Sequence, residues 1–218
     1  RVSDIKQPGL ERVVEFELEH LNELGDPCKK VLIMELMGKH SNIIFCDDKN
    51  MILDSIKHVS SHMSSVREVL PGREYFIPQT QDKLDPLTVS EELFREVVCR
   101  KPCNISKAIY SSLTGISPVV AEEVCFRASV DGSEAAQALD ETAQVHLYHT
   151  FCRLMDQVKE GDFSPNIIYR GEEPVEYGVF AFQQYGPEYH SVEFDSVSEM
   201  LETYYATKNT LTRIHQKS

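Results

Sequence analysis

Basic residues are scarce in this chain. Its 218 residues include 22 lysines and arginines against 35 aspartates and glutamates, a formal net charge of -13. A protein that coats nucleic acid without preference depends on a basic surface that releases the counterions of many phosphates. The composition excludes that mode of binding and leaves room only for a local basic site.

Paired cysteines, a signal peptide and long apolar stretches are also missing. The six cysteines are scattered through apolar runs, without the spacing of a disulfide framework or a zinc knuckle. No segment has the pattern of a targeting or membrane-spanning sequence. We therefore expect reduced thiols, a cytoplasmic location and no membrane partner.

Motifs of catalysis and of metal binding are absent as well. There is no Gly-x-Ser-x-Gly turn, no glycine-rich phosphate loop and no nucleophile beside a convincing base. His146, His149 and Cys152 recur at intervals of three residues, but no fourth ligand is evident, and half-buried positions explain them better. We expect no enzyme activity, no metal and no cofactor.

Three pairs of adjacent glutamates could suggest acid–base chemistry. Neighbouring side chains in a helix or strand point apart instead of sharing a site. Solvated faces are the better interpretation of these pairs, which are Glu91–Glu92, Glu122–Glu123 and Glu172–Glu173.

The first part of the chain carries strand patterns. In RVVEFELEH, residues 12–20, apolar and charged side chains alternate, which is typical of an antiparallel strand with one wet face. Further strands are predicted at 30–37, 42–47 and 51–56, and short turns between them indicate a meander. Prolines after residue 70 end this pattern, and a domain boundary is expected near residue 86.

A helical block follows, and strand patterns then return. Helices are predicted from Ser90 to Val98 and at 106–113, 118–128 and 133–159. The segments 165–169 and 175–182 read as strands. Two or three strands alone are marginally stable, so we expect them to rejoin the first sheet, with the helical block as an insertion.

The turn TGISP between the second and third predicted helices has the form of a helix-hairpin-helix motif. Gly115 and Ile116 form its core, Ser117 is suited to capping the next helix, and Pro118 to its first position. The amides of Gly115, Ile116 and Ser117 are candidates for holding a phosphate. The alternative is an ordinary helical hairpin, because Glu122 and Glu123 replace the basic residues that flank phosphate-binding versions.

Several polar residues in the first sheet region have no structural explanation in the sequence. They are Glu11 and Arg12; the run Gly38, Lys39, His40, Ser41 and Asn42, in a turn between two apolar strands; Lys57 and His58; and Arg67.

Five segments of the first 87 residues carry a family pattern. They are PGLERVVEF at 8–16, ELMGKHSNIIF at 35–45, ILDSIKHV at 52–59, SVREVLPGREYFIP at 65–78 and QDKLDPL at 81–87. These segments resemble the N-terminal NFACT domain of the bacterial RqcH proteins, also known as fibronectin-binding protein A, and of their eukaryotic NEMF relatives. The helical block with LTGISPVVAEEV and the later FSPNIIY and SEMLETYY follow the same layout.

The resemblance implies an α+β fold. An antiparallel sheet domain similar to that of DNA glycosylases is expected over 1–87, without its first part, with an all-helical helix-hairpin-helix insertion over 88–160. Return strands over 161–203 would complete the sheet domain, and 204–218 would begin a coiled coil. The chain starts without methionine and ends within a helical pattern, so we expect a fragment of a longer protein.

The resemblance also implies a role in ribosome-associated quality control. Such proteins bind a large ribosomal subunit obstructed by peptidyl-tRNA and recruit charged tRNA, in bacteria chiefly alanyl-tRNA, for template-free extension of the stalled chain. The family's acidic-Arg pair, implicated in tRNA function, matches Glu11 and Arg12, although many members have aspartate at the first position.

The turn residues fit RNA contacts on this interpretation. Gly38 would allow close approach, Lys39 and His40 would meet phosphate or a base edge, and Ser41 and Asn42 would add neutral donors. Arg12, Lys57, His58 and Arg67 would complete a cationic patch. The alternative is a structural corner in which Ser41 and Asn42 bond to nearby backbone.

Two other functions stay open. The older family names suggest an adhesin that binds an extracellular matrix protein, fibronectin or fibrinogen, at the cell surface. A β-rich domain with a helix-hairpin-helix also resembles formamidopyrimidine-DNA glycosylase, whose chemistry needs an N-terminal nucleophile.

Overall fold

The computed structural model describes residues 1–78 and 82–216. Residues 79–81 and 217–218 lie outside the described part, and they include the first residue of the family segment at 81–87 and the last two of the predicted coiled-coil segment. The chain divides into two units. One comprises Arg1–Pro86 and Ser112–Gly115, and the other Leu87–Ser111 and Ile116–Ser218.

The first unit is built on a five-stranded antiparallel sheet whose strands follow chain order. The predicted meander is confirmed, although the third strand begins three residues earlier than expected, and a further strand precedes the predicted four. The strands are β1 (Val2–Lys6), β2 (Val13–Leu21), β3 (Pro27–Glu35), β4 (Asn42–Asp47) and β5 (Ile52–Ser55).

One face of this sheet forms the core of the unit. Because side chains alternate along a strand, Val13, Ile33 and Ile44 project to the same side, where they are at most 1% exposed. Val69 and Tyr75, from the segment after β5, pack on this face. Burial of each large apolar side chain contributes roughly 1.5–3 kcal/mol, so the layer ties residues 69–75 firmly to the strands.

The second unit contains the predicted helices, except for Ser112 at the end of the second helix, which belongs to the first unit. They are α1 (Glu91–Leu93), continued by a π-helical turn Phe94–Val98, then α2 (Ile105–Ser112), α3 (Pro118–Arg127) and α4 (Glu141–Glu160). The prediction that the longest helix begins at residue 133 is wrong. Ser133 bonds to Asp131 instead of capping a helix, and the Asp140 side chain, which accepts the Ala143 amide at 2.8 Å, caps α4.

The return strands form a separate sheet. β6 (Asn166–Arg170) lies between β7 (Glu173–Gly178) and β8 (Tyr189–Glu193), so the expectation that these strands rejoin the first sheet is wrong. The third strand, β8, supplies the missing partner, and Ile167 and Ile168 of β6 are buried. The buried amide of Asn166 also donates to the Phe180 carbonyl at 2.6 Å.

The last helix is α5 (Val197–His215), capped by the Ser196 hydroxyl. It packs on β7 through Tyr177, whose ring lies 4.7 Å from that of Tyr204 between centroids. A coiled coil beginning at residue 204 stays a prediction. Within the described residues, no helix combines the length and apolar content needed to cross a bilayer.

Candidate nucleic-acid interface

The loop that carries Glu11 and Arg12 is a tight turn in front of β2. The Glu11 amide donates to the Pro8 carbonyl at 3.1 Å, and the Gln7 side-chain amide donates to the Glu11 carbonyl at 2.9 Å. Gly9 has φ +55°, a conformation that glycine adopts without steric cost. The backbone of the pair is therefore held, while Arg12 is exposed and Glu11 is half-buried.

The connection between β3 and β4 is a short 3₁₀ turn, Gly38–His40. Gly38 has φ +56°, a conformation that favours glycine. No atom of the described residues lies within 4 Å of where its Cβ would be. Lys39 and His40 are exposed at the tip of the turn.

Ser41 and Asn42 have structural roles in this turn. The Ser41 hydroxyl accepts the Met37 amide at 2.9 Å. The Asn42 side chain, 7% exposed, accepts the Lys57 amide and donates to the Lys57 carbonyl, both at 3.0 Å. The structural-corner interpretation thus accounts for these two residues, since their polar atoms are occupied by backbone.

The sheet brings the two predicted groups together at one end. The Leu36 amide donates to the Arg12 carbonyl at 2.9 Å, and the Lys57 ammonium donates to the Lys39 carbonyl at 3.0 Å. We call this end, residues 7–12, 36–41 and 56–58, the turn edge. Across residues 1–78 and 82–216, no hydrogen bond or ion pair engages the side chains of Glu11, Arg12, Lys39 or His40.

The two ends of the sheet differ in charge. The turn edge has the cations Arg12, Lys39 and Lys57 against one carboxylate, a formal net of +2. At the opposite end, residues 22–26 and 47–51 hold four carboxylates and one lysine, a formal net of -3. Such a separation orients an approaching polyanion toward the turn edge.

His58 lies at the turn edge, where its side chain already contacts a carboxylate of the protein. Its Nε2 is 2.9 Å from a carboxylate oxygen of Asp54. The bond with His58, followed by that from the Ser55 amide, holds the pKa of Asp54 below its usual value. His58 is therefore less suited to a nucleic-acid contact than predicted.

Arg67 is predicted to belong to the cationic patch, but in the structure its side chain is largely buried. Its Nη2 donates to both carboxylate oxygens of Glu35, and its Nη1 donates to the Phe76 carbonyl at 2.8 Å. The side chains of Arg67 and Glu35 are 11% and 1% exposed. A guanidinium with these partners is not available to an RNA phosphate, so Arg67 is removed from the cationic patch.

Glu35 is the site residue that sequence reasoning missed. The Tyr75 hydroxyl donates to its carboxylate at 2.8 Å, and burial, followed by the charge of Glu35, raises the pKa of Tyr75 well above its ordinary value. A signal was present in the sequence. Glu35 follows Ile33 on the buried face of an apolar strand, and a carboxylate at such a position needs a cationic partner.

The turn between α2 and α3 has the local features predicted for it, and the helix-hairpin-helix motif itself stays a prediction. Gly115 has φ +76°, the Ser117 hydroxyl accepts the Val120 amide at 3.4 Å, and Pro118 stands at the first position of α3. Phosphate contact by Gly115, Ile116 and Ser117 stays a prediction. The space beside Gly115 is occupied by Leu10, within the first unit.

One acidic pair departs from the solvated face predicted for it. Glu122 is exposed, but Glu123 is fully buried in α3, with Arg127 Nε donating to its carboxylate at 2.6 Å. Backbone amides of Gln183 and Gln184 also donate to this carboxylate at 3.0–3.1 Å. In the described part of the chain, no three His, Cys, Asp or Glu residues form a group able to hold a metal ion.

The chain is similar to known proteins over its whole length. The family model for NFACT N-terminal and middle domains matches residues 1–218. The Rqc2 homolog RqcH of Bacillus subtilis is 34% identical over the whole chain, which covers 36% of that protein. Its Streptococcus suis counterpart is 30% identical, with 35% covered. The chain thus spans about a third of the length of these relatives.

Solved structures show a similar fold. A fibrinogen-binding protein from Staphylococcus aureus superposes with a TM-score of 0.72 at 25% identity, covering 94% of this chain and 70% of that one. The N-terminal part of a fibronectin/fibrinogen-binding protein from Streptococcus suis gives a TM-score of 0.68 at 27% identity, with 94% and 67% covered.

Proposed function

The chain belongs to the family of NFACT N-terminal and middle domains, and from this membership we propose that it is part of a ribosome-associated quality control factor. The whole protein binds a large ribosomal subunit obstructed by peptidyl-tRNA in the cytoplasm. It recruits charged tRNA, chiefly alanyl-tRNA, for template-free extension of the stalled chain. The peptide bonds are made by the ribosome, so this chain needs no catalytic residue of its own.

A backbone hydrogen bond at the turn edge supports this proposal for individual residues. The bond from the Leu36 amide to the Arg12 carbonyl brings the Glu11–Arg12 pair beside the turn of Lys39 and His40. These four side chains are free of protein partners across the described residues. Charged side chains held on a rigid backbone and left unpaired are suited to a ligand that supplies the opposite groups.

The chemistry of the four side chains matches RNA. Arg12 and Lys39 can each donate to phosphate oxygens, and His40 can meet phosphate or a base edge. The Glu11 carboxylate can accept from a 2′-hydroxyl or an exocyclic amine. Gly38, Ser41 and Asn42 shape the turn that carries Lys39 and His40, and Lys57 braces it from the neighbouring connection.

The acidic remainder of the chain fits this role. A formal net charge of -13 repels RNA from most of the surface. The cationic turn edge then becomes the favourable point of approach, which raises specificity without a large basic surface.

Crosslinking and sequencing of RNA bound to the full-length protein in its own cells tests the proposal. Wild-type protein should recover alanine tRNA and large-subunit RNA, and the Glu11→Ala, Arg12→Ala double variant should lose the tRNA signal. Glu23→Ala, Lys49→Ala is the matched control, because it also removes one charge of each sign, at the opposite end of the sheet. Equal tRNA recovery from all three proteins would remove the turn edge from tRNA binding.

A second function is favoured by the names of the solved relatives, which are described as binding fibrinogen, or fibronectin and fibrinogen. Under this alternative the full-length protein should bind immobilised fibrinogen with saturation. Absence of tRNA and ribosomal RNA from the crosslinks, together with saturable fibrinogen binding, would favour the adhesin.

A further inference from the structure

Gly115 is held unusually close to another part of the first unit. A Cβ at this position would lie 2.7 Å from the Cβ of Leu10 and 2.8 Å from its carbonyl oxygen. Among the described residues, seven glycines have positive φ, and five of these have no described atom within 4 Å of the Cβ position. Chain reversal therefore explains those five, but Gly115 combines reversal with direct backbone contact.

The turn that contains Gly115 is fixed to the sheet unit. The Leu84 amide donates to the Ser112 carbonyl at 2.8 Å, and the Thr114 amide donates to the Leu84 carbonyl at 3.0 Å. Leu113, between these bonds, is fully buried. The turn therefore forms a firm surface against which Leu10 rests.

Leu10 directly precedes the Glu11–Arg12 pair. The backbone of that pair is bonded at the Glu11 amide, the Glu11 carbonyl and the Arg12 carbonyl. Because these bonds restrict the backbone, a displacement of Leu10 also moves the side chains of Glu11 and Arg12. The carboxylate of Asp85 lies 3.7 Å from the Cβ position of Gly9, so the other side of the loop is confined as well.

We propose that Gly115 is a positioning residue for Glu11 and Arg12. Its missing side chain lets the hairpin turn support Leu10, and that support sets where the carboxylate and guanidinium project. The inference rests on the proposed tRNA role of the pair. It assigns the glycine of the hairpin a contact inside the protein in place of a phosphate.

The test compares two glycines of similar conformation in the full-length protein. Gly115→Ala places a methyl group against Leu10, whereas Gly72→Ala, at φ +84° with no atom within 4 Å, introduces the same backbone strain without a contact. Alanyl-tRNA binding to the protein on obstructed large subunits should weaken about tenfold for Gly115→Ala, since small misplacements of binding groups are costly. Gly72→Ala should bind as wild type does.

Two further readouts separate positioning from loss of structure. In the Glu11→Ala, Arg12→Ala background, Gly115→Ala should cause no additional loss of tRNA affinity, because it acts through the missing side chains. Amide hydrogen exchange at Glu11 and Leu36 should accelerate in Gly115→Ala and stay unchanged in Gly72→Ala.

The outcomes distinguish the two hypotheses. If Gly115→Ala binds tRNA as wild type does, or loses as much affinity in the double-variant background, the positioning role is overturned while the proposed function stands. If the Glu11→Ala, Arg12→Ala variant itself binds tRNA normally, the proposed function of the pair fails, and the positioning role fails with it. A tenfold loss confined to backgrounds with an intact pair supports both.

Discussion

Each unit contains a buried glutamate–arginine pair that links distant segments of the chain, and the two pairs differ in their other hydrogen-bond partners. In the sheet unit, Arg67 binds Glu35 and also donates to the Phe76 carbonyl. In the helical unit, Arg127 binds Glu123 and also donates to the Ala181 carbonyl at 2.7 Å. Each pair thus fixes a later segment of the chain to the element that carries the glutamate.

The pairs differ in which groups donate the remaining hydrogen bonds to the glutamate carboxylate. Glu35 takes its remaining bond from a side chain, the hydroxyl of Tyr75, which is 40 residues away. Glu123 takes its remaining bonds from the backbone amides of Gln183 and Gln184. A backbone donor survives substitution of its residue. The pair in the sheet unit is therefore more sensitive to single substitutions. Its Glu35 directly precedes the turn edge in the chain.

The largest effect is expected when Arg67 is changed. Arg67→Met leaves the buried Glu35 charge with the Tyr75 hydroxyl alone and should lower the free energy of unfolding by about 3–5 kcal/mol. Arg73→Met is the matched control, because its ion pair with Glu68 is 62% exposed on the arginine side and contributes about 0–1 kcal/mol. Urea unfolding measures both, and equal losses would show that the burial of Glu35 carries no special cost.

Arg127→Met should have an intermediate effect. Glu123 keeps its bonds from two backbone amides, so we expect a loss of about 2–3 kcal/mol in the free energy of unfolding. The comparison between the two pairs breaks down if this loss equals or exceeds that of Arg67→Met in the same urea experiment.

A smaller effect is expected for Tyr75→Phe, about 1–2 kcal/mol at neutral pH, because Glu35 keeps Arg67. The pKa of Tyr75 is raised in the folded protein, so above about pH 10 only the unfolded chain releases this proton and wild-type stability falls as the pH rises. Tyr75→Phe lacks this dependence. The difference between the two proteins should therefore shrink above pH 10.

Tyr169→Phe is the control for that experiment, since the Tyr169 ring stacks on His190 and its hydroxyl makes no bond among the described residues. Removing this hydroxyl should change the free energy of unfolding by less than about 0.5 kcal/mol at neutral pH. A difference between wild type and Tyr75→Phe that stays constant from neutral pH to pH 11 would contradict the raised pKa of Tyr75.

The smallest effects are expected in the reactivity of the native thiols of Cys46 and Cys125. Burial raises the pKa of Cys46 to about 11 and that of Cys125 to about 12, so at pH 8 both should react with iodoacetamide more than about 100-fold slower than an exposed thiol. Because Cys46 lies in the sheet core and Cys125 in α3, each reports on one unit. Mass spectrometry should find Cys46 exposed selectively by Arg67→Met and Cys125 by Arg127→Met; the reverse pattern would contradict the assignment of each pair to its unit.

The sequence was informative where periodicity and local spacing decide the outcome. The alternation in residues 12–20 predicted β2, and the Ser117–Pro118 start signal predicted α3. The turn at Gly38–Asn42 was recognised as unusual, and the structure places its Lys39 and His40 beside Arg12 at the same sheet end. The matching segments also indicated the family, which the family model confirms.

Other interpretations depended on partners that are distant in the chain. Arg67 was predicted to face RNA because Glu35, 32 residues earlier, gives no local sign that it faces the arginine. Glu123 and Arg127 stand four residues apart, a readable spacing, but a solvated pair on a helix has the same spacing. The sequence predicts that the return strands join the first sheet, because YHSVE at β8, the third strand of their own sheet, is too polar to give a strand signal.

The amino-acid sequence by itself determined most of the strands and helices, the family and the identity of the charged pair at residues 11 and 12. These follow from periodicity, capping and turn chemistry, which act between residues close in the chain. Tertiary structure alone decided which cation pairs with each buried glutamate, that the return strands form their own sheet, and that Gly115 lies against Leu10. Each of these depends on the desolvation or close packing of groups that only the folded chain brings together, and no local pattern encodes that proximity.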